Sequence, residues 1–325
     1  MMDRSIAVLI PCYNEERTIE KVVQDFQREL PDARIYVYDN RSSDGTAARA
    51  SKAGALVGFE YKQGKGNVVR TMFREVDADI YVMVDGDSTY PAHAVHKLLD
   101  PILNGKSDMT VGTRVQSFDT AAFRRFHTFG NALVRRAINA LFGANLTDIM
   151  SGYRCFTSRF VKCVPVLSRG FEVETELTLQ ALDKNFTMEE VPVEYSKRPE
   201  GSLSKLNTIG DGLLVLRTIV LIFKDYYPLR FFGLLSFICL FLGVGLGSIP
   251  IADFMATGKV MHPSTAVLSA TFMIISVLLM IAGLILDTIN RRQKENYQLI
   301  ADSIIFPNGR QALRRSMTPS SRTGN

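Results

Sequence analysis

Two aspartates separated by one glycine, Asp85-Gly86-Asp87, follow the apolar run Ile80-Tyr81-Val82-Met83-Val84. In extended chain, residues two apart project to the same side, and Gly86 lets backbone or ligand come close. Two neighbouring carboxylates repel unless a cation lies between them. Oxygen donors favour Mg2+ or Mn2+, ions that characteristically bridge carboxylate and diphosphate. The expected chemistry is a metal-diphosphate site with Asp85 and Asp87 as its protein ligands. Turns are rich in Asp and Gly in any case, so the triplet gains meaning only from what surrounds it.

Two more polar motifs end apolar runs in the same way. Ser5 to Ile10 leads into Pro11-Cys12-Tyr13-Asn14-Glu15, and Arg34 to Tyr38 leads into Asp39-Asn40-Arg41-Ser42-Ser43-Asp44-Gly45. In an open parallel sheet, ligands bind beyond the carboxyl ends of the strands, so three such motifs can converge on one crevice. Gly64-Lys65-Gly66 precedes a helical pattern and would offer backbone donors and a cation; its plainer reading is a glycine turn opening that helix.

The elements that must position these groups follow from periodicity. Ser5 to Ile10, Arg34 to Tyr38, Ala55 to Phe59 and Ile80 to Val84 are short, nearly continuous apolar strands, as in a sheet covered on both faces. Ile19, Val22, Val23, Phe26 and Leu30 recur at steps of three and four, one face of a helix. Thr46 to Ala53 and Asn67 to Val76 are further helices. The alternation predicts an α/β fold with βαβ crossovers and a mainly parallel sheet. Downstream, Asp108 to Gly112 and Met188 to Tyr195 are expected strands, and Phe123 to Phe142 and Phe171 to Asp183 expected helices. Glu172, Glu174 and Glu176 open the last of these, where acids favour the helix dipole. Glu176 is read as structural, while Glu172 and Glu174 have either a structural or a sugar-facing role.

The chain has 325 residues with a net charge of +5 and 46% hydrophobic residues, unevenly placed. Phe231 to Ala252 and Thr265 to Leu286 carry no charge, and each is long enough as a helix to cross a ~30 Å hydrocarbon core. Lys224, Arg230, Arg291, Arg292 and Lys294 flank them on the side away from their short connection. The positive-inside rule then puts the main domain and both termini in the cytoplasm, with Asp253 to Ser264 as the outer turn. Such basic residues suit anionic lipid headgroups rather than nucleic acid. Asn207 to Tyr227 has the pattern of an amphipathic interfacial helix. The expected organisation is a cytoplasmic catalytic domain over 1–206, an interfacial helix over 207–230, two transmembrane helices over 231–287 and a basic tail over 288–325. Met1 to Arg4 precede a strand rather than a signal peptide. The four cysteines show no metal or disulfide spacing, which fits a reduced compartment, and His93, His96, His127 and His262 show no ligand spacing.

The Pro-x-Tyr-Asn-Glu start, the Asp39 turn, Gly64-Lys65-Gly66-Asn67 and Asp85-Gly86-Asp87 together resemble inverting GT-A glycosyltransferases. Thr147-Asp148-Ile149-Met150-Ser151-Gly152-Tyr153-Arg154 and Arg198-Pro199-Glu200-Gly201-Ser202-Leu203-Ser204-Lys205, followed by two spans, narrow the resemblance. It becomes the polyprenyl-phosphate glycosyltransferases, relatives of dolichol-phosphate mannose synthase, over about residues 5 to 290. The resemblance implies a GT-A, Rossmann-like domain with a C-terminal two-helix transmembrane hairpin in a bacterial-type inner membrane. It implies a nucleotide-sugar donor, a polyprenyl phosphate acceptor and Mg2+ or Mn2+. Pro11, Tyr13 and Glu15 would line the base and ribose pocket, with Asp39 on the nucleoside and Lys65 near the nucleotide. Asp85, Gly86 and Asp87 would face the metal-bound diphosphate, and Asp148 the sugar and acceptor. Arg114 would lie on the acceptor side, and Arg198, Ser204 and Lys205 would bind phosphate.

A phosphate monoester acceptor is largely ionised at neutral pH, its second pKa being about 6, so it needs less help from a base than a hydroxyl would. Asp148 is accordingly read as positioning acceptor or metal as much as taking a proton. The donor favoured is uridine diphosphate with glucose or a related hexose, then guanosine diphosphate mannose. A processive polysaccharide synthase would carry Gln-x-x-Arg-Trp, and this chain has no Trp. No Gly-x-Gly-x-x-Gly follows the first strand, against a dinucleotide dehydrogenase. A catalytically dead membrane scaffold is the other rival, and a homo-oligomer is compatible with two spans per chain. If the acid triplet grips a cation, chelator should weaken nucleotide-sugar binding by the purified protein; equal binding with chelator present contradicts it.

Overall fold

The computed structural model describes residues 4–115, 124–170, 172–196 and 211–305. Arg198, Ser204 and Lys205 lie outside the described residues. The chain forms two compact units, one of them 212–303 and the other the remaining described residues.

The first unit begins β1 (Ile6–Cys12), α1 (Ile19–Glu29), β2 (Arg34–Asp39), α2 (Thr46–Lys52), β3 (Leu56–Phe59), α3 (Lys65–Glu75) and β4 (Ile80–Met83). It continues α4 (Val95–Leu103), β5 (Met109–Val115), α5 (Arg124–Phe142), β6 (Arg154–Thr157), α6 (Ser158–Cys163), α7 (Val173–Asp183) and β7 (Met188–Glu194). The strand order is β3-β2-β1-β4-β6-β5-β7. All neighbours pair in parallel except β6, which runs against both β4 and β5. Alternate side chains serve opposite faces. Val8, Ile10, Val82 and Cys155 meet Ile19, Val22 and Phe26 of α1 and Leu98 of α4 in one core. On the other face Tyr81 and Phe156 pack with Phe73 of α3, and Phe156 stacks on Phe160 at 5.1 Å. Burial on both faces is why the strands read as unbroken apolar runs.

Two departures from the sequence reading have local causes. β1 continues through Pro11 to Cys12 instead of stopping at Ile10. The Cys12 carbonyl accepts the Asn40 N–H at 2.8 Å on the β2 side, so Pro11, one residue earlier, turns its nitrogen towards β4. There the ladder has ended, Leu9 pairing with Met83 and accepting Val84 N–H, and no donor is needed. The second is β6, a four-residue strand containing Arg154, too short and too polar to read as a strand. Its neighbours on both sides make it central.

The second unit holds α8 (Asp211–Tyr226), α9 (Pro228–Thr257) and α10 (Pro263–Ile305). α9 and α10 are both long and apolar enough to cross a membrane, and only 17% of the apolar window of each is buried. A soluble core helix of that length would be mostly covered. α10 runs on to Ile305, so residues 288–305 are helical where a basic tail was expected. Gly258, at φ 68°, ends α9 in the left-handed conformation that glycine favours. Across the turn, the His262 ring lies 2.6 Å from an Asp253 carboxylate oxygen.

The two apolar helices meet through small residues. Ser236 Oγ donates to the Ser276 carbonyl at 2.8 Å, and Ser269 Oγ donates to the Gly243 carbonyl at 2.7 Å. A Cβ on Gly243 would stand 2.9 Å from Met273 Cγ and 3.2 Å from its backbone nitrogen, whereas one on Gly245 would meet nothing. Association of apolar helices in lipid depends on such close packing. Gly243→Leu should therefore lower the melting temperature in detergent by several degrees, an overpacking loss of about 1–3 kcal/mol. Gly245→Leu should leave it unchanged or raised; equal losses for both would contradict this interface.

Candidate functional site

The carboxyl ends of β1, β2 and β4 come together through specific backbone contacts. Asn14, Arg41 and Ser88 each adopt positive φ, at 53°, 62° and 60°, just beyond those three strands. Left-handed non-glycine residues cost about 1 kcal/mol or more each and persist where surroundings over-determine them. Asn14 shows how: its N–H donates to Ser42 Oγ at 2.9 Å and its Oδ1 accepts Ser43 N–H at 2.8 Å. Glu15 N–H donates to Thr46 Oγ1 at 2.9 Å, while its carbonyl accepts the Thr18 and Ile19 amides that open α1. Tyr13 and Glu15 are half-buried beside Pro11.

At the end of β2, Asp39 is buried. Its Oδ2 accepts Ser42 N–H at 3.1 Å, but its Oδ1 is shut from solvent with no hydrogen-bond partner among the described residues. A buried acceptor of that kind is costly unless a donor reaches it. Asn40, which has no counterpart in the sequence-based site, pins the neighbouring loop: Nδ2 donates to the Glu60 and Lys62 carbonyls, and Oδ1 accepts Gly64 N–H at 2.7 Å. Gly64 has φ 124° and a Cβ there would lie 2.0 Å from the Arg169 carbonyl; one on Gly66 would lie 2.4 Å from that of Ser168. Both glycines are thus required by the 168–170 segment packed against them.

Lys65 opens α3 from this loop, with its side chain 9% exposed. Its ammonium bonds Asp85 Oδ1 and Glu174 Oε1. Burial by itself would lower the Lys65 pKa, but the two carboxylates outweigh it and hold the value raised. Glu174, 4% exposed, is raised by its own burial and by Asp85, against the opposing pull of Lys65. Glu174 is therefore an ion-pair partner in the site. Glu172 instead accepts the Arg169 and Gly170 amides, and Glu176 accepts those of Leu167 and Ser168. These two shape the loop before α7.

The acid triplet is drawn over the end of β1. The Gly86 carbonyl accepts Thr18 Oγ1 at 2.6 Å, and a Gly86 Cβ would stand 2.6 Å from Cys12 Sγ and 3.7 Å from Glu15 Cγ. Asp87 is buried, its Oδ1 accepting Thr89 N–H at 3.2 Å and Thr89 Oγ1 at 2.6 Å. Gly152 closes on Asp85 from the other side, a Cβ there falling 2.3 Å from Asp85 Oδ2. No cluster of three or more His, Cys, Asp or Glu side chains able to hold an ion occurs among the described residues. The donor set nevertheless fits a divalent cation. Mg2+ sites on phosphate substrates characteristically use one or two carboxylates, with substrate oxygens completing the shell, and in this structure the Lys65 ammonium engages Asp85 Oδ1.

Asp148 and Arg114 form a forked pair, Nε to Oδ2 at 2.7 Å and Nη2 to Oδ1 at 2.9 Å, with the guanidinium 5.5 Å from the Tyr195 ring centre. Glu190 of β7 accepts the Thr147 and Asp148 amides at 2.9–3.0 Å. Arg154, fully buried, donates to the Ile149 and Ser151 carbonyls and to Thr178 Oγ1. Its pKa is lowered by burial, with Glu174 and Asp148 acting the other way. Tyr90 bridges the two halves: its hydroxyl lies 3.2 Å from Ser151 Oγ and accepts Gly152 N–H. Sequence reasoning missed Arg154, Glu190 and Tyr90, although Arg154 stood within the motif that carried Asp148.

Residues 7–164 match the family described as Glycosyl transferase family 2. The chain is 32% identical to glycosyltransferase AglJ of Haloferax volcanii over 92% of its own length and 98% of that protein. It is 27% identical to the dolichyl-phosphate hexose transferase of the same organism, over 66% of this chain and 92% of that one. Among solved structures, glucosyl-3-phosphoglycerate synthase from Mycobacterium tuberculosis with Mn2+ and UDP-glucose superposes with TM-score 0.55 at 22% identity. That match covers 68% of this chain and 79% of the other. The fold is GT-A, Rossmann-like and mostly parallel, with two apolar C-terminal helices that could span a membrane. The chain belongs to glycosyl transferase family 2.

Burial raises the Asp148 pKa, but hydrogen bonds and charge from Arg114 prevail and hold it below the usual carboxylate range. The folded value is the depressed one, so the pair's stability is complete above the ordinary carboxylate pKa and is lost only as pH falls through the lowered value. Asp148 therefore stays ionised throughout the neutral range. Asp148→Asn should reduce turnover by about 100-fold through loss of positioning and leave the acidic limb of the pH–rate profile where it was. A displaced limb would mark Asp148 as the proton acceptor.

Proposed function

We propose that the protein transfers a hexose from a nucleoside-diphosphate donor to the phosphate of a polyprenyl phosphate, with inversion, at the cytoplasmic face of a membrane. The observation that carries this reading is a buried ammonium, Lys65, paired with Asp85 just beyond β4, in the same turn as Asp87. At the end of β2 stands Asp39 Oδ1, a buried acceptor suited to a nucleobase or ribose donor group. A divalent cation held by Asp85 and Asp87 would supply Lewis-acid stabilisation to the departing diphosphate.

The protein's own groups account for the remaining steps. Lys65 adds positive charge beside the diphosphate, where negative charge grows as the glycosidic bond breaks. Arg114, oriented by Asp148 and backed by Tyr195, is suited to steer an incoming phosphate monoester; its planar fork favours that geometry. Such an acceptor reacts as an anion, and the doubly engaged Asp148 need not take a proton. Arg198, Ser204 and Lys205 are proposed as further phosphate contacts. Pro11, Tyr13 and Glu15 are proposed to border the nucleoside, with Gly86 leaving room for the diphosphate.

The acceptor class is supported by the named activity of the dolichyl-phosphate hexose transferase relative and by the two apolar helices. Uridine diphosphate glucose or a related hexose donor is favoured, with guanosine diphosphate mannose the alternative. The proposed arrangement has residues up to 206 and both termini in the cytoplasm, 207–230 at the interface and 231–287 spanning the bilayer.

The test is a donor panel on detergent-purified full-length protein with undecaprenyl phosphate, scored as labelled sugar extracted into organic solvent. One donor should label the lipid, and Asp85→Ala should reduce that signal at least about 100-fold. If no donor labels the lipid, or if Asp85→Ala keeps its activity, the assignment fails.

A further inference from the structure

Lys65 and Glu174 form an ion pair next to Asp85, yet the backbone that presents them does not depend on that pair. Gly64 is tied to Asn40, and Gly66 N–H donates to the Gly170 carbonyl at 3.1 Å. Arg70, on the first turns of α3, donates to the Val166, Leu167 and Ser168 carbonyls. The start of α3 and the segment leading into α7 are therefore clamped together without help from the Lys65 side chain. Its ammonium is shared by Asp85, a half-buried residue facing the proposed diphosphate site, and Glu174, a buried residue behind it.

We propose that Lys65 gates Asp85: its ammonium, retained in the site by Glu174, blocks a divalent cation from Asp85 until a nucleoside diphosphate draws the ammonium away. Cation and nucleotide would then enter together, and the free ion would be held poorly. This rests on the metal-dependent reading above. An ammonium and a divalent ion cannot both sit close to one carboxylate without strong repulsion. A diphosphate offers the ammonium a new anionic partner, so exchange leaves no buried charge unpaired, and Glu174 keeps Lys65 from leaving altogether. Lys65 is thereby a positioning residue for Asp85 as well as a contact for the donor.

The test measures Mn2+ binding by the EPR signal of free Mn2+, using full-length detergent-purified protein with MnCl2 alone and with UDP or GDP added in separate arms. The wild type should bind Mn2+ weakly alone and about tenfold or more tightly with the correct nucleotide. Lys65→Met leaves Glu174 buried without a partner and risks misfolding, so the informative variant is Lys65→Met/Glu174→Gln, which removes both charges. It should bind Mn2+ alone about tenfold more tightly than wild type and gain little from nucleotide. Glu174→Gln should move the other way, binding Mn2+ alone several-fold more weakly, because Lys65 then has only Asp85. A purely long-range effect predicts no change in the double variant, and a purely structural lesion predicts weaker binding in both. Either result overturns the gate while leaving metal use intact. Absence of Mn2+ binding by the wild type in every arm overturns both the gate and the metal-dependent reading.

Discussion

A lysine ammonium buried between two carboxylates is stable only if the chain brings all three together, since each charge alone would be expensive to remove from water. Lys65 starts α3, Asp85 follows β4 and Glu174 lies in the first turn of α7, so the trio joins side chains from segments remote in sequence whose backbones other bonds hold in place. Removing Lys65 would leave two facing carboxylates without their cation, whereas losing either acid leaves the ammonium one partner. The glycines at 64, 66 and 152 serve the same end. Each removes a side chain where backbone must approach closely enough for the charges to meet.

Around that trio, carboxylates and amides do most of the shaping. Glu172, Glu176 and Glu190 each accept neighbouring backbone amides, and Asn40 does the equivalent for the loop before α3. Such bonds to charged acceptors are roughly twice as strong as neutral ones. They fix irregular loops that have no ladder to rely on. Arg154 performs the complementary task from below, its guanidinium filling the carbonyls of the 149–151 turn while sitting between two acids.

The strands, the crossover helices and the two apolar segments were legible because burial on both faces, helical periodicity and length leave direct traces in sequence. The same holds for the motifs that follow β1, β2 and β4. Pairings were not legible. Nothing about Glu174 separates it from Glu172 and Glu176, which share its helix turn; only the fold turns one inward to Lys65 and the others to loop amides. Arg114 and Asp148 were each expected to face substrate, and their fork to one another depends on β5 lying beside the 147–154 segment. β6 escaped notice because a central strand that short is defined by its neighbours. The helical course of residues 288–305 was hidden by a charge pattern that suits a solvated tail equally well.

On α10, Ser269, Ser276 and Gly283 follow one another at intervals of seven residues, and all three lie against α9. A repeat of seven keeps one seam facing its partner only if the helices wind gently around each other with a left-handed twist. In that winding the two helices share a private contact made by Ser236, Gly243, Ser269, Ser276 and Gly283. What they turn outward is Phe237, Phe241, Val277, Ile281 and Ile285, bulky groups equally at ease with acyl chains. Held together by that seam, the two helices need no second copy to cover their close-packed face.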